Sequence, residues 1–234
     1  MPPEYRRPGL GGLYPIESRG TLGRGVCIGG ARETRAAFNA SLARLGVARM
    51  GLYLLHWPLT TAAYPLDDPQ HRLVRMAAWR ELLRIKQEGL AAAVGVSNFS
   101  PRQLREVIAV HPPDVLQIEM HLLLQQPELR ELCAAHGILI QSYGHRKLER
   151  AQHNLVTAAA EALRAPSVGL LSMRWALHAG AAIIPRSRTL EYVAANQRVF
   201  DFALPAGVIP ALEFLNQNAS LYGLHEVFVR DAIR

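Results

Sequence analysis

Cysteine is nearly absent from this sequence: Cys27 and Cys133 are the only two in 234 residues. That is too few for a disulfide framework or a cysteine-rich metal centre, so no metal site is expected. Cys133 sits among Leu129, Leu132 and Ala134 in a helical pattern, which predicts a small buried hydrophobe rather than a reactive thiol. Uninterrupted apolar runs of the roughly 20 residues that span a membrane are also missing. Long basic runs are missing too, although the net charge is +7. The arginines are spread along the chain, with pairs at Arg6-Arg7 and Arg186/Arg188. No nucleic-acid partner is expected, because local cation clusters suit a phosphorylated small molecule equally well. Low-complexity segments and strong internal repeats are lacking. The first 35 residues carry six arginines against three acids but are poor in the serine of a transit peptide, so a cytoplasmic location is expected. Lysine does not occur before Lys86.

What the chain does have is apolar substance and rhythm. Half of its residues are hydrophobic, ample for one large core. Residues 1–30 are rich in Gly and Pro and read as an irregular N-terminal segment, with Val26-Cys27-Ile28 as its one candidate strand. From Ala31 to the end, short apolar runs alternate with helical stripes. Strands are predicted at Met50–Leu55, Ala92–Val96, Val115–Glu119, Ile138–Ser142 and Ala181–Ile184. Between them, Met76, Trp79, Leu82 and Leu83 recur at helical spacing. Ser100-Pro101-Arg102-Gln103 has the make-up of a capping box with Pro at the first helical position. Pro127 opens a helix that Gly137 stops. Further helices are predicted around Leu155–Leu163 and Val168–Leu177, from Thr189 to near Phe200, and around Ile209–Asn216. About five strand–helix units at this spacing imply a parallel sheet, doubly wound or closed into a barrel.

Several motifs go further than the rhythm. Leu54-Leu55-His56-Trp57-Pro58 ends one strand, and Val94-Gly95-Val96-Ser97-Asn98-Phe99 ends the next, preceded by Trp79 and Gln87-Glu88-Gly89. Gln117-Ile118-Glu119, Tyr143, Ile184-Pro185-Arg186-Ser187-Arg188-Thr189 and Val199-Phe200-Asp201-Phe202 follow in order. In sequence and spacing these motifs resemble the aldo-keto reductase family over roughly residues 32–204. The resemblance implies a TIM (β/α)8-type barrel covering residues 31–234, with active-site residues at the C-terminal strand ends. It implies NADPH-dependent reduction of an aldehyde or ketone to an alcohol, without a glycine-rich dinucleotide loop.

By that resemblance His56 is the catalytic residue that polarises the carbonyl, and Trp57 lines the substrate pocket. Ser97, Asn98 and Gln117 grip the nicotinamide carboxamide, a role that needs groups able both to donate and to accept. Tyr143 supplies a ring for stacking. Arg186, Ser187, Arg188, Thr189 and Asn196 meet the adenosine 2′-phosphate, in keeping with the affinity of helix N-termini and arginine forks for phosphate. The chain departs from the family pattern at Tyr192 (usually Arg), at Ala195 (usually acidic) and at Gly144-His145-Arg146-Lys147 (usually Ser-Pro-Leu-Gly). Arg146 and Lys147 remain available to a pyrophosphate.

The family's Asp, Tyr and Lys, which deliver the proton, should precede His56, and no matching pattern is found there. Tyr14-Pro15-Ile16-Glu17 is at best a strained match. The barrel is therefore expected to lack strands 2 and 3, or 1 to 3. Open sheet edges would then invite self-association. The alternative to an active reductase is a catalytically inactive nicotinamide-binding or regulatory module, or a truncated gene product.

Overall fold

The computed structural model describes residues 16–17, 29–58, 69–187 and 189–222. Strand β1 (Ile16–Glu17) pairs with β2 (Met50–Leu55), and α1 (Ala31–Leu45) connects them. The chain continues through α2 (Gln70–Gln87), β3 (Ala91–Ser97), α3 (Pro101–Ile108), β4 (Val115–Glu119), α4 (Pro127–His136) and β5 (Leu139–Tyr143). Three helices follow, α5 (His145–Arg150), α6 (Asn154–Ala162) and α7 (Val168–His178), before β6 (Ala182–Ile183), α8 (Leu190–Gln197) and α9 (Ile209–Glu213). The strands form one parallel sheet in the order β1-β2-β3-β4-β5-β6. Parallel neighbours in sequence order, each joined by a helical crossover, give the layering of a TIM-type barrel. Among the described residues six strands are paired rather than eight, and β1 and β6 do not meet. Among the described residues the barrel is incomplete, as expected.

Local chemistry explains the element ends. Ser100 accepts from Gln103 N while the Gln103 side chain accepts from Ser100 N, completing the predicted capping box with Pro101 behind it. Gly137 stops α4 in the left-handed region at φ 67°, where a residue without Cβ adds no strain. The Ile209–Asn216 helix is shorter than predicted, ending at Glu213. Gln125 explains part of this: its Nε2 donates to Leu212 O, and its backbone N donates to Asn216 Oδ1, so Asn216 is drawn out of the helix. Gly144-His145-Arg146-Lys147, where the chain departs from the family pattern, opens α5. Gly144 takes φ 107°, and His145 and Leu148 are buried on the inner side of the helix. The Val26–Ile28 candidate strand lies outside the described residues.

Period-two alternation divides each strand between two layers. One set of side chains packs under the helices, with Tyr53, Leu55, Val94, Val96, Leu116, Ile118 and Ile140 joining Trp79, Leu82 and Leu104 in the main core. Burying one such side chain contributes about 1.5–3 kcal/mol. The other set faces the barrel interior, where Leu52, Leu54, Ala93 and Val115 form a small apolar floor against Leu139. Gly95 belongs to this row, aligned with Leu54 and Val115. A Cβ there would lie 2.3 Å from Val115 O and 2.6 Å from Leu54 Cδ2, so only glycine fits. Cys133 is buried in the core, and burial pushes its thiol up to about 12, as an inert small hydrophobe requires.

Candidate active site

The register that builds the floor also builds the site. One step beyond the apolar row, Ser97, Gln117 and Gln141 align across β3, β4 and β5. Glu119 pairs with Tyr143 one step further still. All five lie on the interior face, Gln117 and Gln141 at mid-strand and Ser97, Glu119 and Tyr143 at the C-terminal ends, so the strand alternation changes from apolar floor to polar mouth along one face. Ser97 Oγ donates to Gln117 O at 2.9 Å, and Gln117 Nε2 donates to Gln141 Oε1 at 2.9 Å.

Asn98 connects this row to His56. It sits at φ 60°, a left-handed conformation that Asn tolerates better than most residues. Its Nδ2 donates to His56 O at 2.8 Å and its Oδ1 accepts from Tyr143 Oη at 2.6 Å. The predicted residues His56, Asn98 and Tyr143 thus form one chain of contacts across β2, β3 and β5. The His56 turn is also clamped from behind. Arg75 of α2, almost fully buried, donates from Nη1 to Pro58 O at 2.9 Å while pairing with Glu106 of α3. Burial lowers the His56 pKa, so the ring is neutral near pH 7. Its Nδ1 is buried with no hydrogen-bond partner among the described residues. A bare nitrogen is cheaper to bury unpaired than an N–H, which assigns the ring proton to Nε2. The Trp57 ring lies 6.0 Å from His56, centroid to centroid.

The segment after α9 closes one side of the mouth. Gln217 N and Ala219 N donate to Leu123 O, and Glu119 receives Ser220 Oγ at 2.5 Å, Leu221 N at 2.6 Å and His121 Nε2 at 3.1 Å. Burial alone would raise the Glu119 pKa. These hydrogen bonds outweigh it and hold the carboxyl below its ordinary value. The result places Tyr222 edge-on against Tyr143 at 5.5 Å. Burial first, and the Glu119 charge second, raise the Tyr143 pKa above the ordinary phenol.

Beside this network lies a cavity of about 690 Å³ lined by Arg146, Lys147, Arg150, Arg186, Thr189, Tyr192 and Tyr222 among others. Of the predicted phosphate-binding residues, Arg186 and Thr189 reach its wall. Ser187 and Asn196 do not line it, and Arg188 lies outside the described residues. Ser187 instead ties the turn together, its Oγ donating to Thr189 O at 3.0 Å, and Thr189 caps α8 by accepting from Tyr192 N. Arg150 and Tyr222 were not singled out from the sequence. Arg150 stands four residues after Arg146, the spacing that places two side chains on one helix face. That signal was readable once α5 was known to be a helix.

A domain model described as the aldo/keto reductase family matches residues 29–217. The chain belongs to the aldo/keto reductase family. It is 37% identical over 192 residues to an aldo-keto reductase of Mycolicibacterium vanbaalenii, covering 80% of this chain and 64% of the relative. An aldo-keto reductase of Mycobacterium leprae is 36% identical over 196 residues, covering 82% and 65% respectively. The chain therefore spans less than two thirds of the length of these curated relatives. Among solved structures, an aldo/keto reductase from Brucella melitensis aligns with TM-score 0.67 and 31% identity, covering 81% of this chain and 69% of that one. A Bombyx mori aldo-keto reductase crystallised with NADP aligns with TM-score 0.69 and 28% identity over 82% of this chain and 66% of that one. Among the described residues of the chain, no helix is long and apolar enough to cross a membrane.

Proposed function

We propose that this chain binds NADPH across the mouth of its partial barrel and uses it to reduce an aldehyde or ketone to an alcohol. The observation that carries the reading is the juxtaposition of the His56–Asn98–Tyr143 network with the cavity walled by Arg146, Lys147, Arg150 and Arg186. No carboxylate among the described residues pairs with any of these four cations. Four charges gathered round one cavity repel each other, and anionic phosphates relieve that repulsion. The Bombyx mori relative holds NADP, which supports the same occupant here.

When bound, the cofactor supplies the hydride. The chain's own part is positional and electrostatic. Tyr143 offers its ring as a stacking platform, fixed by its hydrogen bond to Asn98. Ser97, Asn98 and Gln117 take up the carboxamide using the donor and acceptor capacity left over from their mutual bonds. His56, neutral and protonated on Nε2, donates to the carbonyl oxygen as charge develops there. Trp57 walls the substrate side.

A second reading has a specific observation behind it. The Tyr143 hydroxyl is engaged by Asn98 and its pKa is raised, which suits a platform and not a proton donor. Among the described residues no Tyr hydroxyl or Lys ammonium is hydrogen-bonded to His56. On this reading the chain holds the cofactor without turnover. Titration with NADPH, followed by protein fluorescence, tests the shared premise: saturation below millimolar cofactor is expected, and a flat titration sinks both readings. NADPH oxidation with a reactive aldehyde then separates them. Turnover in wild type that falls at least about a hundredfold in His56→Ala supports the reductase, whereas equal rates remove His56 from the chemistry.

A further inference from the structure

The two consecutive cations in the first turn of α5 contact different rings of the cavity wall. Lys147 places its ammonium 4.0 Å from the centroid of Tyr222, the ring that packs on Tyr143 at the nicotinamide side. Arg146 lies 3.7 Å above the centroid of Tyr192, a residue in the first turn of α8 whose backbone N donates to the N-cap Thr189. Stacking on a ring occupies only the faces of the guanidinium. Its N–H groups stay available as a fork. Arg35, Arg75 and Arg105 spend their forks on carboxylates. Arg146 has no such partner among the described residues. It also joins α5 to α8 at the cavity wall.

A guanidinium fork suits the paired oxygens of a terminal phosphate monoester, while a compact ammonium suits a pyrophosphate as a point charge. With the nicotinamide at Tyr143, Lys147 meets the middle of the dinucleotide and Arg146 its far end. We infer that Arg146, held over the Tyr192 ring, reads the ribose 2′-phosphate and makes this cavity select phosphorylated over unphosphorylated nicotinamide dinucleotides. The inference rests on the cofactor reading given above.

The test is isothermal titration of the full chain with NADPH, NADH, adenosine 2′,5′-bisphosphate and AMP. Wild type prefers the two 2′-phosphorylated ligands. Arg146→Gln weakens those two by about tenfold or more and shifts NADH and AMP by less than about twofold. Arg146→Lys, which keeps the charge and loses the fork, also loses most of the preference. Tyr192→Phe keeps the supporting ring and retains the preference, while Tyr192→Ala reduces it. Thermal melts confirm that each variant is folded, and the Lys variant decides the matter if the Gln variant is not. Equal losses for NADPH and NADH in the Arg146 variants, or no loss at all, overturn the inference and leave the cofactor reading standing. A wild type that binds neither dinucleotide overturns both.

Discussion

The two halves of the barrel mouth treat polar groups in opposite ways. At the ends of β2 to β5, Asn98, Tyr143, Ser97, Gln117 and Gln141 bond to one another or to backbone and are mostly buried. Around the cavity between α5 and α8, Arg146, Lys147, Arg150 and Arg186 have no carboxylate partner among the described residues, and α8 buries none of its residues. A group that must be pre-aimed is held by its neighbours before anything binds. A group meant for an anion is left with its charge uncompensated. The difference predicts that the first half carries stability and the second carries affinity.

The sharpest way to break that contrast is Asn98→Ala. It removes two buried hydrogen bonds, each contributing about 1 kcal/mol, and places Ala at φ 60°, which costs about 1 kcal/mol more. Unfolding in denaturant should show a loss of about 3 kcal/mol. A loss under about 1 kcal/mol means that the network is decoration and not scaffold.

Much of the scaffold was legible in sequence, and the reason is local. The capping box at Ser100–Gln103, the Pro127 and Gly137 bounds of α4 and the alternation within β3 and β4 are set by residues within a few positions of each other. The site residues followed from family motifs, and the register shows why they converge: Ser97, Gln117 and Gln141 share one row. What was illegible depends on distant partners. Helix α5 has only six residues, too few to declare itself by period, and forms because His145 and Leu148 bury against the rest of the molecule. Strand β1 at Ile16–Glu17 takes its identity from pairing with β2. Glu119 gains its place in the site from Ser220 and Leu221, more than a hundred residues away. The Arg146–Tyr192 stack is of the same kind, since neither residue announces the other.

A second prediction sharpens the contrast through pH. His145 is fully enclosed between Ser142 and Ser172, at 3.0 and 2.9 Å. Ser142 Oγ donates to Met120 O, so His145 Nε2 donates to Ser142 and Nδ1 accepts from Ser172, a neutral tautomer assigned from the network. Burial first, with the neighbouring His121 adding to it, lowers its pKa to about 3. The unfolded imidazole takes up a proton near pH 6.5 while the folded one does not. Its contribution is therefore fully present above pH 6.5 and is lost progressively as pH falls towards 3. About 2 kcal/mol should disappear between pH 6.5 and 5, and His145→Gln should flatten this part of the profile. An unchanged slope in the variant assigns the acid sensitivity to other groups.

The smallest expected effect is the most discriminating. Lys147→Ala and Arg186→Ala each remove a cation that is exposed and unpaired by carboxylate among the described residues, so stability should change by no more than about 0.5 kcal/mol. For Arg186→Ala the sign should be slightly favourable at low salt, because the substitution relieves repulsion from the three cations that remain, and the gain should fade as salt screens them; in Lys147→Ala the lost contact with the Tyr222 ring offsets that gain. Inorganic phosphate should raise the wild-type melting temperature by occupying the cavity, and should do so less in each variant. Melts in low salt, high salt and phosphate read all three trends in one experiment. If either substitution lowers the melting temperature as Asn98→Ala does, the cavity wall is scaffold after all, and the division between the two halves of the mouth disappears.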